Sequence, residues 1–379
     1  MKQIFKRMEE LEQEYIQFWI DICEIESPTD YKEGVDRVGA YVCEKAKARG
    51  WKIEVQKQEV SGDCICITMN PDVNKEPICC SSHMDTVHPL GLFGDNPVHM
   101  DEEKIYGPGV ADCKGGIAAA FLAMVALEDC GYKERPIKLI LQSDEETSSQ
   151  GSNQTTLAYM CEQAKGSIAF LNSEPSRTGK VVMGRKGILR YRFEVSGKAA
   201  HAANCCTGSS AIRQAACAIV ELEKMKDKDG ITCNCGVIQG GTTSNTVPES
   251  CVFTIDVRFK TEEQMKQAQK QVEEIANTTY VEGTTTNLIL ESHRSAMEEE
   301  ERNFELLARL NEIYVENDLP SLEWQISGGG SDAAYTTAAG IPTICAIGVL
   351  GGNFHGRDEF AWLSSMIDAA KRIVAAIKL

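Results

Sequence analysis

Short apolar runs alternate with helical patterns along the first half of the chain. Apolar residues recur at helical spacing over residues 33–48, a pattern that ends at Gly50, then after Gly115 and Gly116 to about residue 128, and over 152–165. Between these patterns lie apolar runs typical of strands, at residues 52–56, 64–69, 77–82, 137–143 and 167–172. Strands that alternate with helices predict an α/β fold with a largely parallel sheet.

The pattern changes between residues 180 and 293. The predicted order is strand, strand, helix, strand, strand, helix, strand, with alternation over 190–195 and 252–259 and helical spacing over 211–226 and 261–276. This order is typical of a small α+β unit with an antiparallel sheet. A helix over 303–317, a strand over 342–349 and a final helix from about Asp358 follow. We therefore expect a catalytic α/β domain, residues 1–179 and 294–379, interrupted by an inserted α+β domain, residues 180–293.

Composition and charge narrow the class of protein. Of the 379 residues, 42% are hydrophobic and 25% charged, an ordinary balance for a globular protein. The formal net charge of −17 would repel a phosphate backbone or an anionic membrane, so we expect no nucleic acid and no membrane as partner. The N-terminal residues lack the unbroken apolar stretch of a signal peptide, and no window reaches the ~18 apolar residues of a membrane span.

The chain contains sixteen cysteines. A disulfide scaffold is usually short and secreted, whereas this chain is long and has the pattern of an enzyme. Several cysteines lie inside apolar runs, namely Cys64, Cys66, Cys79, Cys80 and Cys345. We interpret them as reduced core residues and expect a cytoplasmic protein.

Candidate chemistry gathers where the predicted strands end. His83 begins the motif His83-Met84-Asp85, in which the carboxylate can orient the histidine ring. Each such motif alone also fits a structural or solvated role. The carboxyl ends of parallel strands meet at one edge of a sheet, so we expect the residues there to lie together. Histidines and carboxylates in that combination suit zinc or a similar divalent ion. The full set is His83, Asp112, Glu145, Glu146, Glu174 and His355.

A series of motifs resembles the M20 metallopeptidase family. They read HMDTV, YGPGVADCKGG, SDEETSSQGS, NSEPS, GKAAHA, GGTTSNTVPE, GGGSDA and NFHG, in the family's order and spacing and across almost the whole chain. The resemblance is strongest to the glutamate carboxypeptidase-like branch. It implies a zinc-peptidase-like catalytic domain, interrupted by a lid and dimerisation domain.

The resemblance also implies a two-metal site. His83 and Glu174 would bind one ion. Glu146 and His355 would bind the other, and Asp112 would bridge both. The expected cofactor is therefore a pair of divalent ions, zinc first, with cobalt or manganese as alternatives.

Three further residues have implied catalytic roles. Asp85 would orient His83. Glu145 would be the general base, taking a proton from water and giving it to the leaving amine. His201 matches a histidine that reaches the partner's active site in dimeric members, so we expect a homodimer.

Substrate recognition is expected from two regions. Asn245 and Arg258 match lid residues that hold the substrate's free carboxylate, a task suited to a forked guanidinium. Gly329 and Ser331 would line the pocket through backbone groups. Two cationic residues shortly after Glu174 could bind a second carboxylate of the substrate, or could be ordinary solvated charges. They are Arg177 and Lys180.

The expected function is hydrolysis of a peptide or amide bond next to a free carboxylate, by a carboxypeptidase that could release glutamate. The substrate would be a small peptide or an acyl-amino acid. An N-acyl-amino-acid deacylase of the acetylornithine deacetylase or desuccinylase type is the alternative within enzymes. A catalytically silent metal-binding paralogue is the alternative of another class. The presence of Glu145 counts against that last reading.

Overall fold

The computed structural model of the protein describes residues 1–379. The chain forms two compact units: the first contains Met1–Met183, Glu299–Ile326 and Ser331–Leu379, and the second contains Gly184–Glu298 and Ser327–Gly330. The insert expected over residues 180–293 therefore differs from the second unit by a few residues at each end and by the short segment Ser327–Gly330. At the first boundary the reason is a strand, Val181–Arg185, whose first half belongs to the first unit.

The chain alternates helices and strands along most of its length. The helices are α1 (Lys2–Glu24), α2 (Lys32–Ala48), α3 (Lys114–Asp129), α4 (Thr155–Ala164), α5 (Ala211–Leu222), α6 (Glu262–Ala276), α7 (Glu301–Glu316), α8 (Ala333–Ala338) and α9 (Leu363–Ala375). The strands are β1 (Lys52–Gln56), β2 (Cys64–Met69), β3 (Ile78–His83), β4 (His99–Met100), β5 (Lys104–Tyr106), β6 (Ile137–Gln142), β7 (Ala169–Asn172), β8 (Val181–Arg185), β9 (Gly187–Ser196), β10 (Thr232–Gly240), β11 (Ser250–Phe259), β12 (Thr285–Arg294), β13 (Trp324–Ser327), β14 (Thr343–Cys345), β15 (Gly351–Gly352) and β16 (Phe360–Trp362). Short 3-10 turns cover Glu145–Thr147, Ala202–Thr207 and Ala376–Lys378.

The largest sheet has the strand order β1-β2-β6-β3-β7-β14-β8-β13. Its centre is parallel, because β3 pairs in parallel with both β6 and β7, and β7 pairs in parallel with β14. The flanking strands β1 and β2 are antiparallel. The mainly parallel α/β sheet expected from the sequence is thus confirmed. Since β3, β6 and β7 run in the same direction, the residues that follow them leave from one edge of the sheet.

Helix α3 is buried along almost its whole length, because most of its side chains are small and apolar. It begins at Lys114, earlier than the sequence predicts, and therefore includes two glycines. A Cβ atom on Gly115 would lie 2.5 Å from the carbonyl oxygen of Val110, and one on Gly116 would lie 2.4 Å from that of Ser173. Only glycine permits this approach, which packs the start of α3 against the segments before Asp112 and Glu174. The Asp112–Cys113 peptide bond is cis.

The second unit contains an antiparallel sheet of order β10-β11-β9-β12 with helices α5 and α6. Buried and less buried positions alternate along β9 and β11, so one face of the sheet forms a core with the two helices. The rings of Phe193 and Phe253 stack at 4.4 Å in that core. The element order predicted for this region is the observed one, and its α+β class is confirmed.

Very short elements were not predicted correctly. A small antiparallel sheet of order β15-β16-β5-β4 was missed, and the strand expected over residues 342–349 is only Thr343–Cys345. The last helix begins at Leu363 rather than near Asp358, because β16 comes first. Strands of two or three residues are too short to carry a periodic pattern. In this structure no helix combines the length and the apolar character that crossing a bilayer requires.

Candidate metal centre

Histidine or acidic residues lie at the end of three neighbouring strands of the large sheet or within a few residues after it. His83 is the last residue of β3, and Glu145 and Glu146 lie in the 3-10 turn after β6. Glu174 follows β7 and is buried. Since these strands are parallel neighbours, their ends bring the four side chains to the same edge, as the sequence predicts.

Asp112 lies between the two predicted histidine ligands. Its Oδ1 atom is 3.1 Å from Nε2 of His83, and its Oδ2 atom is 3.4 Å from Nε2 of His355. Oε2 of Glu146 is also 3.4 Å from Nε2 of His355, and Oε1 of Glu174 is 4.0 Å from Nε2 of His83. The carboxylate of Asp112 therefore connects two groups of donors, one at each histidine.

Side chains that could hold a metal ion form three overlapping groups, in each of which the donor atoms lie within 4.8 Å of one another. The groups are Asp112, Glu146 and His355; His83, Glu145 and Glu174; and His83, Asp112 and Cys113. Burial raises the pKa of the Cys113 thiol, which donates to the carbonyl of Ser173 at 3.1 Å, so this sulfur is the least suited donor. The remaining imidazole and carboxylate donors fit a divalent cation.

Asp85 connects His83 to the acidic turn. Nδ1 of His83 is 3.0 Å from the backbone oxygen of Asp85 and 3.4 Å from its carboxylate. That carboxylate accepts the backbone N–H groups of Glu145 at 3.2 Å and Glu146 at 3.1 Å, and the hydroxyl of Thr29 at 2.7 Å. Because Nδ1 donates to Asp85, Nε2 is the nitrogen that faces Asp112, where it donates to the carboxylate at 3.1 Å and could instead bind a cation. Asp85 is thus placed to orient the ring and the turn, and Thr29 is a contact that the sequence did not predict.

The charges in the cluster are strongly coupled. Burial opposes the ionisation of Asp112, but hydrogen bonds with His355 and His83 lower its pKa. Hydrogen bonds with Asp112 and Glu146 raise the pKa of His355 to about 10. Burial and the charge of Asp112 raise the pKa of Glu146 to about 8. The pKa values of Glu146 and His355 rise for one reason: closely packed carboxylates are stabilised by positive charge nearby. A proton or a metal ion can supply that charge.

Two buried ionisable residues beside the cluster were missed by the sequence analysis. Oε1 of Glu359 accepts the backbone N–H groups of Ala111 at 2.9 Å and Asp112 at 3.0 Å, and Oε2 lies 3.2 Å from Nε2 of His88. The available signal was a glutamate placed between the polar turn of His355 and the apolar residues of β16.

The substrate residues predicted in the first unit have partners within the protein. Nζ of Lys180 is 2.6 Å from Oε2 of the exposed Glu323, and the guanidinium of Arg177 lies 4.8 Å from the ring centre of Phe354. Ser331 is completely buried, with its hydroxyl 3.4 Å from Oδ1 of Asn172.

His201 and Asn245 lie together in the second unit. The backbone N–H of Ala202 donates to the carbonyl of Asn245 at 2.9 Å, and an isolated β-bridge pairs His201 with Thr246. Nδ1 of His201 accepts the N–H of Ala203 at 3.1 Å. The neutral ring therefore carries its proton on Nε2, and the residue is exposed.

Three arginines of the second unit contact the segment Ser327–Gly330. Arg258 donates to the carboxylate of Asp256 at 2.9 Å and to the carbonyl of Gly328 at 3.3 Å. Arg185 donates to the carbonyls of Gly329 at 3.3 Å and Gly330 at 3.0 Å. Arg294 packs so closely on Gly330 that a Cβ atom there would lie 2.2 Å from its Cδ. Of these residues, Arg258 and Gly329 were predicted from the sequence, whereas Arg185 and Arg294 were not.

Known proteins resemble this chain in sequence and in fold. A family profile described as peptidase family M20/M25/M40 matches residues 79–379. Carboxypeptidase G2 of Pseudomonas sp. (strain RS-16) is 28% identical over 363 residues, covering 94% of this chain and 86% of that protein. A tripeptidase structure from Staphylococcus aureus has a TM-score of 0.78 at 21% identity, covering 97% of this chain and 98% of that one. An M20 family metallo-carboxypeptidase from Sulfolobus solfataricus has a TM-score of 0.73 at 16% identity, covering 97% and 99%.

Proposed function

Because the chain belongs to peptidase family M20/M25/M40, we propose that this hydrolase uses two metal ions to cleave a peptide or amide bond next to a free carboxylate, as a carboxypeptidase. The observation that carries the proposal is the position of Asp112. Each of its carboxylate oxygens faces a different histidine, at 3.1 Å and 3.4 Å. A carboxylate in this position can contribute one oxygen to each of two ions.

The proposed ligands divide into two sets. His83 and Glu174 would hold one ion, and Glu146 and His355 the other, with Asp112 shared. We propose zinc, with cobalt or manganese as alternatives, because two imidazoles and three carboxylates suit these ions. When bound, the ions would lower the pKa of a water molecule and polarise the scissile carbonyl.

Glu145 is the proposed general base. Its carboxylate belongs to the donor group of His83 and Glu174, and the residue is 6% exposed. We propose that a carboxylate oxygen of Glu145 takes the proton of the attacking water and later transfers it to the leaving amine. Asp85, whose carboxylate accepts the backbone N–H of Glu145 at 3.2 Å, would keep this residue in place.

Recognition of the free carboxylate is assigned to Asn245 and Arg258. Arg185 and Arg294 add positive charge around the segment Ser327–Gly330, and Gly329 is exposed there. Forked guanidinium groups suit a carboxylate ligand. The name of one relative, Carboxypeptidase G2, supports a carboxypeptidase. Ser331 stays a weaker candidate because it is fully buried.

We further propose that the active form is a cytoplasmic homodimer in which His201 serves the partner subunit's site. Strand β10 is an edge strand of the second unit's sheet, and Val237 and Ile238 on it are 53% and 49% exposed. An exposed apolar edge strand tends to pair with another chain. The exposed Nε2–H of His201 could donate to a developing oxyanion.

A substrate panel with metal analysis tests the proposed function. Protein purified without chelator should contain close to two equivalents of transition metal and should release the C-terminal residue of N-blocked dipeptides when zinc or cobalt is present. Preferential cleavage of acetyl- or succinyl-amino acids would favour the deacylase. Activity on tripeptides alone would favour a tripeptidase, as in the Staphylococcus aureus neighbour. Activity with one equivalent or less would exclude the two-metal proposal, and no hydrolysis of any substrate would favour the silent paralogue.

A further inference from the structure

Glu359 contacts both ends of the segment that leads to Asp112. The backbone N–H of Gly107 donates to the carbonyl of Glu359 at 3.2 Å, and the N–H groups of Ala111 and Asp112 donate to Oε1 at 2.9 Å and 3.0 Å. The segment bends through Gly107 (φ 147) and Gly109 (φ 71). Glycine permits such a bend but does not enforce it, so contacts from outside the segment must fix its conformation.

The same glutamate is joined to two other parts of the site. Its backbone N–H donates to the carbonyl of Gly356 at 3.2 Å, within the turn that contains His355. Its Oε2 atom lies 3.2 Å from Nε2 of His88, which belongs to the segment after Asp85. Glu359 is 1% exposed and His88 5% exposed. A buried carboxylate is costly unless it accepts several hydrogen bonds, and here two amides and one imidazole donate to it.

We propose that Glu359, supported by His88, is a positioning residue that fixes the backbone of Asp112 relative to His355 and thereby sets the affinity of the centre for metal. This inference rests on the proposed function, since it assumes that Asp112 and His355 are ligands. One oxygen shared by two consecutive amides fixes the peptide plane directly before the Asp112 side chain. Hydrogen-bond partners of ligands typically change metal affinity by about 10–100-fold.

The test is zinc affinity, measured on the full chain by competition with a chromogenic chelator. Glu359→Ala removes the shared acceptor and should weaken at least one zinc equivalent by about tenfold or more. Glu359→Gln keeps an oxygen that can accept both amides, so its affinity should stay within about threefold of the wild type. Glu359→Asp keeps the charge but shortens the side chain, so it should resemble Glu359→Ala; it also serves if Glu359→Ala does not fold.

Gln214 offers a matched control in the second unit. Its buried Oε1 accepts two consecutive amides, of Tyr280 at 2.8 Å and Val281 at 2.9 Å, just as Glu359 does. Gln214→Ala should lower the thermal unfolding temperature without changing zinc affinity.

The inference is overturned if Glu359→Ala and Glu359→Asp bind two zinc equivalents as tightly as the wild type, if Glu359→Gln binds as weakly as Glu359→Ala, or if Gln214→Ala weakens zinc binding equally. If the wild type itself binds no zinc, the proposed function fails and the inference fails with it.

Discussion

Glu145 and Glu146 are adjacent glutamates with different surroundings. The carboxylate of Glu145 groups with His83 and Glu174, whereas that of Glu146 lies 3.4 Å from Nε2 of His355. The backbone N–H groups of both residues donate to Asp85. A difference of one position along the 3-10 turn therefore directs the two side chains to different histidines. Both carboxylates lie in groups that could hold a metal ion, so the proposal that Glu145 transfers the proton and Glu146 binds metal comes from the resemblance to the M20 family.

Substitution of the two glutamates should separate turnover from metal content. Glu145→Gln keeps the shape of the side chain but removes the base, so kcat should fall by ~10²-fold or more while two metal equivalents remain. Glu146→Gln should instead weaken metal binding. The measurements are elemental analysis and steady-state kinetics on the same preparations. Equal metal loss in both variants, or an active Glu145→Gln enzyme, would refute the division of roles.

Metal binding should strengthen as pH rises. Without metal, hydrogen bonds with Asp112 and Glu146 raise the pKa of His355 to about 10, so its ring is protonated at neutral pH. A metal ion needs the neutral ring and must displace that proton. Between pH 6 and 8, well below this pKa, the apparent zinc affinity should increase roughly tenfold per pH unit for each proton displaced. Calorimetry in buffers of different ionisation enthalpy would count the protons, and a pH-independent affinity would contradict the expectation.

At the scale of the element, strands differ in how far their contacts can be predicted. Strands β3, β6 and β7 are apolar runs of four to six residues, and their shared direction explains why the residues at their ends were predicted to meet. Strands β15 and β16 have two and three residues, and their turns carry His355 and Glu359. β15 pairs with β16, and β16 pairs with β5, which is far away in sequence. Ion pairs such as Lys180 with Glu323 were unpredictable for the same reason.

Substitutions on the edge strand β10 test the proposed homodimer. Val237→Lys with Ile238→Lys places charges on the exposed edge, where a second chain would have to desolvate them, and should convert a dimer to a monomer. Val315→Lys is the control, since Val315 is 62% exposed on α7 of the first unit. Light scattering at assay concentration gives the mass of each variant. A double-lysine variant that remains dimeric would show that β10 does not form the interface.

At the scale of the whole molecule, the net charge of −17 opposes the approach of an anionic substrate. A substrate that ends in glutamate would bring two carboxylates, so local cations must offset this field. Arg258, Arg185 and Arg294 surround one glycine segment, but the sequence could identify only the first of them. The three arginines come together only because strands that are far apart in sequence lie close together in the fold. Arg177 and Lys180 are less free than the sequence suggests, because one stacks on Phe354 and the other pairs with Glu323.

The enzyme's preference for substrates that end in an acidic residue tests which of these cations binds the second carboxylate. We expect X-Glu substrates to exceed X-Ala and X-Leu by about tenfold in kcat/KM, the effect of a desolvated ion pair of about 1.5–3 kcal/mol. If Arg177 or Lys180 binds the second carboxylate, substitution of that residue by alanine should remove the preference for X-Glu. The kcat/KM for neutral substrates should not change. Glu323→Gln, which frees Lys180, is the complementary variant. A wild-type enzyme that prefers leucine or a basic residue would contradict the glutamate proposal.

The two histidines of the centre differ greatly in access to solvent: the side chain of His83 is 2% exposed and that of His355 is 55% exposed. Ligand exchange begins where water or a competing ligand can reach the ion, so the two proposed ions should leave at different rates. A chelator should remove the ion of the His355 group quickly and the ion of the His83 group slowly, giving a biphasic decay with a half-loaded species between the phases. If turnover needs both ions, activity should follow the fast phase. The amount of working enzyme in a cell would then depend on the free metal concentration rather than only on how much protein is made.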